Sequence, residues 1–227
     1  CCYTGGECAI ANGQQQCRNT GGTPAASDTC NPNPCKTDQS AESKTPSVDE
    51  IIKEEAVDIK DLEVGEPTLL PSSPFYFFKN FTRGIRRAFT FDPVKKAELE
   101  LRFADEKLAE TKKLADTSPE RVDALNRAIE NYKQSQETLK NRIGLIKETS
   151  QNPNVDKLLE KLVDRTVKHE KLFAELKEKF EDKKELREKI DAVKEKAEES
   201  IAKAAEKDDP EKFAKRLEKV LVETKGS

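Results

Sequence analysis

The chain has 227 residues, 34% of them apolar and 37% charged, a composition that argues against a thick globular core and for thin, solvated layers. Its 41 basic and 44 acidic residues leave a net charge of −3, which argues against nucleic acid as the main partner and gives no long-range steering. No apolar run approaches the ~20 residues needed to span a bilayer.

All six cysteines, Cys1, Cys2, Cys8, Cys17, Cys30 and Cys35, fall in the first 35 residues, among the turn-forming glycines Gly5, Gly6, Gly13, Gly21 and Gly22. So short a segment buries too little apolar surface to fold unaided, so residues 1–35 are expected to be a disulfide-rich module in an oxidising, extracytoplasmic setting. The pairing stays open, since six cysteines allow 15 connectivities. A zinc site is the weaker reading, because only Cys30 and Cys35 come near ligand spacing and no histidine is close. Acylation of Cys1, as in a lipoprotein, would leave an odd number of thiols. The chain contains no Met and begins at Cys1, so a processed product or a fragment is expected, with any export signal lying outside it. The pattern CC-Y-T-G-G-E-C, Cys17 and GGTPAASDTCNPNPC resembles short six-cysteine repeats of secreted bacterial proteins.

Residues 36–69 read as an acidic linker: Lys36 to Glu66 holds ten acids against four lysines. Ser47 with Glu50 forms a capping box for one short helix, 48–55. The following VDIKDLEVGEP alternates weakly and is expected to cross the bundle surface in extended form.

From Pro74 the character changes. Ser72 or Ser73 can cap a helix with Pro74 at its first position. Phe78, Phe81, Ile85 and Phe89 then recur at spacings of three and four, one helical stripe widened by Phe75, Tyr76 and Phe77. Lys79, Arg83, Arg86 and Arg87 add four positive charges with no acid in the segment. The leading expectation packs the aromatic stripe on the end of the bundle and leaves the cations in water. The alternative is an interfacial helix on an anionic membrane or envelope polymer, with Phe75, Tyr76, Lys79, Arg83, Arg86 and Arg87 as the surface contact. Asn80-Phe81-Thr82 also fits a glycosylation sequon, discounted within a helix.

Leu70-Pro71-Ser72-Ser73-Pro74 with Tyr76 and Lys79, followed by Thr90-Phe91-Asp92-Pro93 and Lys96-Ala97-Glu98-Leu99, resembles an uncharacterised bacterial domain. That domain carries an LP-x-SP-x-Y-x-x-K signature and a TFDP-x-x-KAEL helix. The text is closest to Patescibacteria-type versions, and the likeness covers roughly residues 60–180. It implies an exported or envelope-associated helical protein, joined to other extracellular modules, with no assigned activity.

Asp92-Pro93 is a helix start, with a side-chain acceptor at the cap and Pro in the first turn. Val94, Ala97, Leu101, Ala104, Leu108, Thr111 and Ala115 follow on a 3,4 beat. Ser118-Pro119 is expected to open a second helix with Val122, Leu125, Ile129, Tyr132, Gln136, Leu139, Ile143 and Ile146. Asn152-Pro153 opens a third with Val155, Leu159, Leu162, Thr166, His169, Phe173, Leu176 and Phe180. A period of 3.5 held this long means helices packing side by side, and the short breaks force antiparallel neighbours. Beyond Phe180 the seam slips to Leu186, Ile190, Val193 and Ala197, in a new helix or a continuation of the old one. Asp208-Asp209-Pro210 starts a last segment with Phe213, Leu217, Val220 and Leu221. The fold class is thus mainly α, an elongated antiparallel helical bundle over 70–181 with a C-terminal extension over 182–227.

His169, the one histidine, falls in the predicted seam, where a partnered structural role outweighs a metal or pH-sensing one. The Glu/Lys pairs, Glu106 and Glu110 with Lys113 among them, read as solvated faces, and no carboxylate stands on an apolar background. No phosphate loop, nucleophile elbow, zincin or calcium loop occurs, so no catalysis, metal or cofactor is expected. The reading is a non-enzymatic cell-envelope or secreted protein whose bundle serves as stalk or docking surface for a protein or envelope polymer. Peripheral membrane binding through 74–91 is the first alternative, and an extracytoplasmic sensor centred on His169 the second.

Overall fold

A computed structural model of the chain describes residues 57–223, which contain six α-helices and no strand. The cysteine module, the expected helix 48–55 and the acylation or zinc readings of the cysteines lie outside the described residues. The helices are α1 Tyr76–Ala88, α2 Pro93–Thr117, α3 Val122–Leu145, α4 Pro153–Lys179, α5 Lys184–Ala205 and α6 Pro210–Glu223. A 3-10 turn, Ile59–Leu62, precedes them.

Three helix starts follow the expected chemistry. Asp92 accepts the Lys95 amide at 2.8 Å ahead of Pro93, Asn152 accepts the Asn154 amide at 2.9 Å ahead of Pro153, and Asp209 accepts the Glu211 amide at 3.0 Å ahead of Pro210. Two starts differ. Ser118 does not open α3; its amide is taken by the Leu114 carbonyl at 2.9 Å, so it ends α2, and a turn over 119–121 delays α3 to Val122. Likewise α1 begins at Tyr76 rather than Pro74, because the Ser73 hydroxyl and carbonyl hold the Phe75 and Tyr76 amides in a preceding turn. A break at 181–183 separates α4 from α5, which settles the slipped seam as a new helix.

The 3.5-residue beat does what it implies. Every seam position named for α2 and α4 is buried, and of those for α3 only Val122 is partly exposed. The apolar side chains divide into two main clusters. One joins the second half of α2 (Leu108, Leu114) to the first half of α3 (Leu125, Ile129), the end of α4 (Phe173, Leu176) and the start of α5 (Leu186, Ile190). The other joins the start of α2 (Val94, Leu101) to the end of α3 (Leu139, Ile143) and the start of α4 (Leu159, Leu162). Neighbours that share clusters in this crossed order run in opposite directions. The C-terminal segment, expected as an extension, is a core member: α5 packs on α3 and α4, and α6 covers Val163 and Val167 with Phe213 and Val220.

The stretch after Val57 does cross the bundle surface, burying Val57, Leu62 and Val64. It is not extended throughout, because Asp58 and Asp61 close a reciprocal capping box around a short helical turn. That turn ends at Glu63, a non-glycine residue in the left-handed region at φ 53°. The arrangement is backed by Arg165 of α4, whose guanidinium reaches the Asp61 carbonyl and, at 2.5 Å, the Glu63 carboxylate.

Candidate functional site

Two polar assemblies stand out from this apolar frame. The first lies inside the bundle, between the two clusters. His169, with 0% exposure, has Tyr132 Oη 2.8 Å from Nδ1 and Asp105 Oδ1 2.8 Å from Nε2. Gln136 Nε2 donates to the Tyr132 oxygen at 2.5 Å, and Arg165 Nε stands 3.5 Å from Asp105 Oδ2. A neutral histidine protonated at Nε2 satisfies the whole chain: Gln136 donates to Tyr132, Tyr132 to Nδ1, and Nε2–H to the Asp105 carboxylate. Burial pushes the Tyr132 phenol well above its ordinary value, so it stays a donor. Phe173 closes one side with an edge-on contact to Tyr132 at 5.0 Å between ring centroids.

This row has the acid–histidine–hydroxyl order of a nucleophile relay, set wholly inside the bundle. Tyr132 and Asp105 are buried like His169, and both ring nitrogens are engaged. Among the described residues no three His, Cys, Asp or Glu side chains come together as a metal site. A charged groove of about 350 Å³ opens beside Arg165, lined by Glu63, Lys157, Lys161, Asp164 and Lys219. It mixes both signs, with Glu63 on Arg165 and Lys161, and Glu160 on Lys219. Next to His169 in sequence, Glu170 pairs with Lys194 at 3.1 Å, while its Oε1 has no hydrogen bond among the described residues. Burial, partly offset by Lys194, raises its carboxyl, so one carboxylate does stand on the apolar background that sequence reasoning did not find.

The second assembly joins α1 to α2, and it reverses the sequence expectation. α2 has a second stripe, buried Glu100, Phe103 and Glu110 with half-buried Glu106, on the side away from the seam. Opposite it, α1 presents Tyr76, Lys79, Arg83 and Arg87. Tyr76 Oη donates to Glu110 at 2.5 Å, Lys79 reaches the same carboxylate at 2.6 Å, and Arg83 Nη2 donates to it at 2.7 Å. Arg83 also donates to Glu106 at 2.9 and 3.1 Å. Arg87 forms a two-pronged pair with Glu100 at 2.6 and 2.7 Å. Both guanidiniums lie against the buried Phe103 ring, at 5.8 and 4.9 Å from its centroid. Burial and then the Glu110 charge push the Tyr76 phenol upward; for Arg83, burial alone would lower the guanidinium, but Glu110 and Tyr76 outweigh it. Beneath them burial, reinforced by Arg83 and Arg87, lowers the Lys107 amine to about 8.

Three of the four cations that were to stay wet, Lys79, Arg83 and Arg87, therefore face α2, and the aromatic stripe is turned outward. Phe75, Phe77, Phe78, Phe81, Ile85, Phe89 and Phe91 are all exposed, Phe81 at 65% and Phe89 at 76%. Only two other large apolar side chains among the described residues are exposed, Leu145 and Val222, so this exposure is concentrated on one helix and its flanks. Of the six residues predicted to make surface contact, Phe75 and Arg86 are exposed, Lys79 and Arg87 are partly covered in ion pairs, and Tyr76 and Arg83 are buried. Glu106 and Glu110 are not a solvated face but the sockets for α1. The signal available in sequence was the acid row Glu100, Glu106, Glu110 beside Phe103, complementary in sign and spacing to Lys79, Arg83 and Arg87.

Among the described residues no helix is long and apolar enough to cross a membrane. Residues 68–225 match the family model described as "Domain of unknown function (DUF5667)". Neither the curated proteins nor the solved structures give a match. The family match covers more than half of the chain, and the chain belongs to that family.

Proposed function

We propose that this DUF5667-family protein is a non-enzymatic, extracytoplasmic interaction protein whose helical bundle presents the outer face of α1 as a docking surface. The observation that carries the reading is the inverted seating of α1. A surface helix ordinarily gains its stability by turning its apolar stripe to the core. Here three carboxylates of α2 take over that task, so most of the apolar stripe stays exposed and available to a partner. The cysteine-rich segment supports the extracytoplasmic setting, since closely spaced even-numbered cysteines belong to oxidising compartments. The polar row on His169 is a packing device, which supports a scaffold over a sensor or hydrolase.

The test is thermal unfolding of Phe78→Ser/Phe81→Ser, followed by circular dichroism. A docking face predicts a midpoint equal to or above that of the wild type, because both rings already stand in water. A fall of about 5 °C or more would return the stripe to the core and overturn the reading.

A further inference from the structure

We propose that the occupant of the α1 face is the interfacial layer of a phospholipid bilayer, into which α1 lays its aromatic side; this rests on the docking role of α1. Winding the segment at 3.6 residues per turn places Phe77, Phe78, Phe81, Ile85, Ala88 and Phe89 on the arc opposite Tyr76 and Arg83. That arc holds no charged side chain. Thr82, the polar member beside it, donates its hydroxyl to the Lys79 carbonyl at 2.9 Å, and Thr90 at the helix end donates to the Arg86 carbonyl at 2.8 Å. These hydroxyls carry their own partners into a dry environment, which lowers the penalty for leaving water.

Form favours lipid over a protein groove-filler. α1 rests on α2, and the apolar strip runs past both helix ends through Phe75 and Phe91, so it is a ridge rather than a cleft. The rim has the matching sign: no acid occurs between Glu66 and Asp92, and Arg86 stands exposed with no ion pair among the described residues. Arg86 is positioned to meet a lipid phosphate while the ring stripe enters the acyl boundary, the division of labour of an interfacial helix. With three of the four cations already held by α2, insertion rather than charge dominates, so the ionic contribution is small.

The chain contains no Trp, so Phe81→Trp introduces a unique reporter into the full 227-residue protein. Mixed with vesicles of phosphatidylcholine, it is expected to shift its emission to the blue and to be quenched by acyl-chain-brominated lipid. Adding phosphatidylglycerol is expected to tighten binding a few-fold, a gain removed by salt or by Arg86→Gln. Phe78→Ser/Phe81→Ser is expected to lower vesicle co-sedimentation by about 10-fold or more. No shift and no quenching on either vesicle, with the double variant still melting as wild type, overturns the lipid assignment while leaving the docking face standing. A dimer in light scattering that the same double variant dissolves assigns the face to a second copy and also overturns it. A double variant that unfolds removes the docking face itself.

Discussion

α1 and α4 carry the same kind of pattern and do opposite things with it. Both show apolar residues at spacings of three and four. In α4 that stripe, Val155 to Phe180, is buried along its whole length, with His169 and Thr166 as polar members. In α1 the stripe Phe78, Phe81, Ile85, Phe89 faces water, and the helix is seated by Arg83, Lys79 and Arg87 on three glutamates. Periodicity defines a face; what lies opposite decides which way the face turns. α4 meets apolar stripes on α2 and α5. α1 meets a carboxylate row, and burying phenylalanine against Glu100, Glu106 and Glu110 would strand three acids without partners. Unpaired buried carboxylates cost more than exposed aromatic rings, so the charged face wins.

The contrast predicts that one region fails globally and the other locally. Asp105→Ala removes the acceptor for His169 Nε2 and the carboxylate beside Arg165, leaving a buried guanidinium with less compensation. The expected loss is about 3–5 kcal/mol of global stability, read by urea unfolding, with all bundle helices melting together. A loss below about 1 kcal/mol would mean that the row is not part of the cooperative unit. Glu110→Gln should instead act on α1. Glu110 is the shared acceptor of Tyr76, Lys79 and Arg83, and its replacement is expected to weaken α1 docking by about 1–3 kcal/mol. Hydrogen exchange would show faster opening of 76–88 with α3 and α4 amides unchanged. Equal acceleration throughout would erase the distinction between the two regions.

The same distinction explains what could be read from the chain. The seams of α2, α3 and α4 were legible because burial on a regular beat is a one-dimensional signal. The Asp92, Asn152 and Asp209 caps were legible because each acts within three residues. The orientation of α1 depends on residues 13 to 34 positions away along the chain, the Arg87–Glu100 and Tyr76–Glu110 pairs, and no local pattern states which acids will be opposite. His169 was placed in the seam, but its partners Tyr132 and Asp105 belong to other helices and emerge only once the bundle closes. Ser118-Pro119 misled for a related reason: a capping residue fits the end of α2 as well as the start of α3, and the Leu114 carbonyl decided between them.

Lys107 reports on the boundary between the two regions. Its ammonium donates to the Asn131 carbonyl of α3 at 2.8 Å and lies under Arg83 and Arg87 of α1. Burial first, then those two guanidiniums, lowers it to about 8 from an ordinary 10.5. Between these values the unfolded chain binds the proton and the folded chain does not, so stability rises with pH from about 8 to about 10.5. Below 8 both states are protonated and the full cost of a buried ammonium is present. Lys107→Gln is therefore expected to flatten that rise relative to wild type. The side-chain titration, followed by NMR on the Lys107 ε-carbon, should also move upward in Arg87→Gln, because one of the two repelling charges is gone. The shift would be a fraction of a unit, the smallest of these effects, since burial remains the larger cause. A Lys107 titration indifferent to Arg87 would place α1 too far from α2 to act on it, and with it would go the ion-paired seating that turns the aromatic face outward.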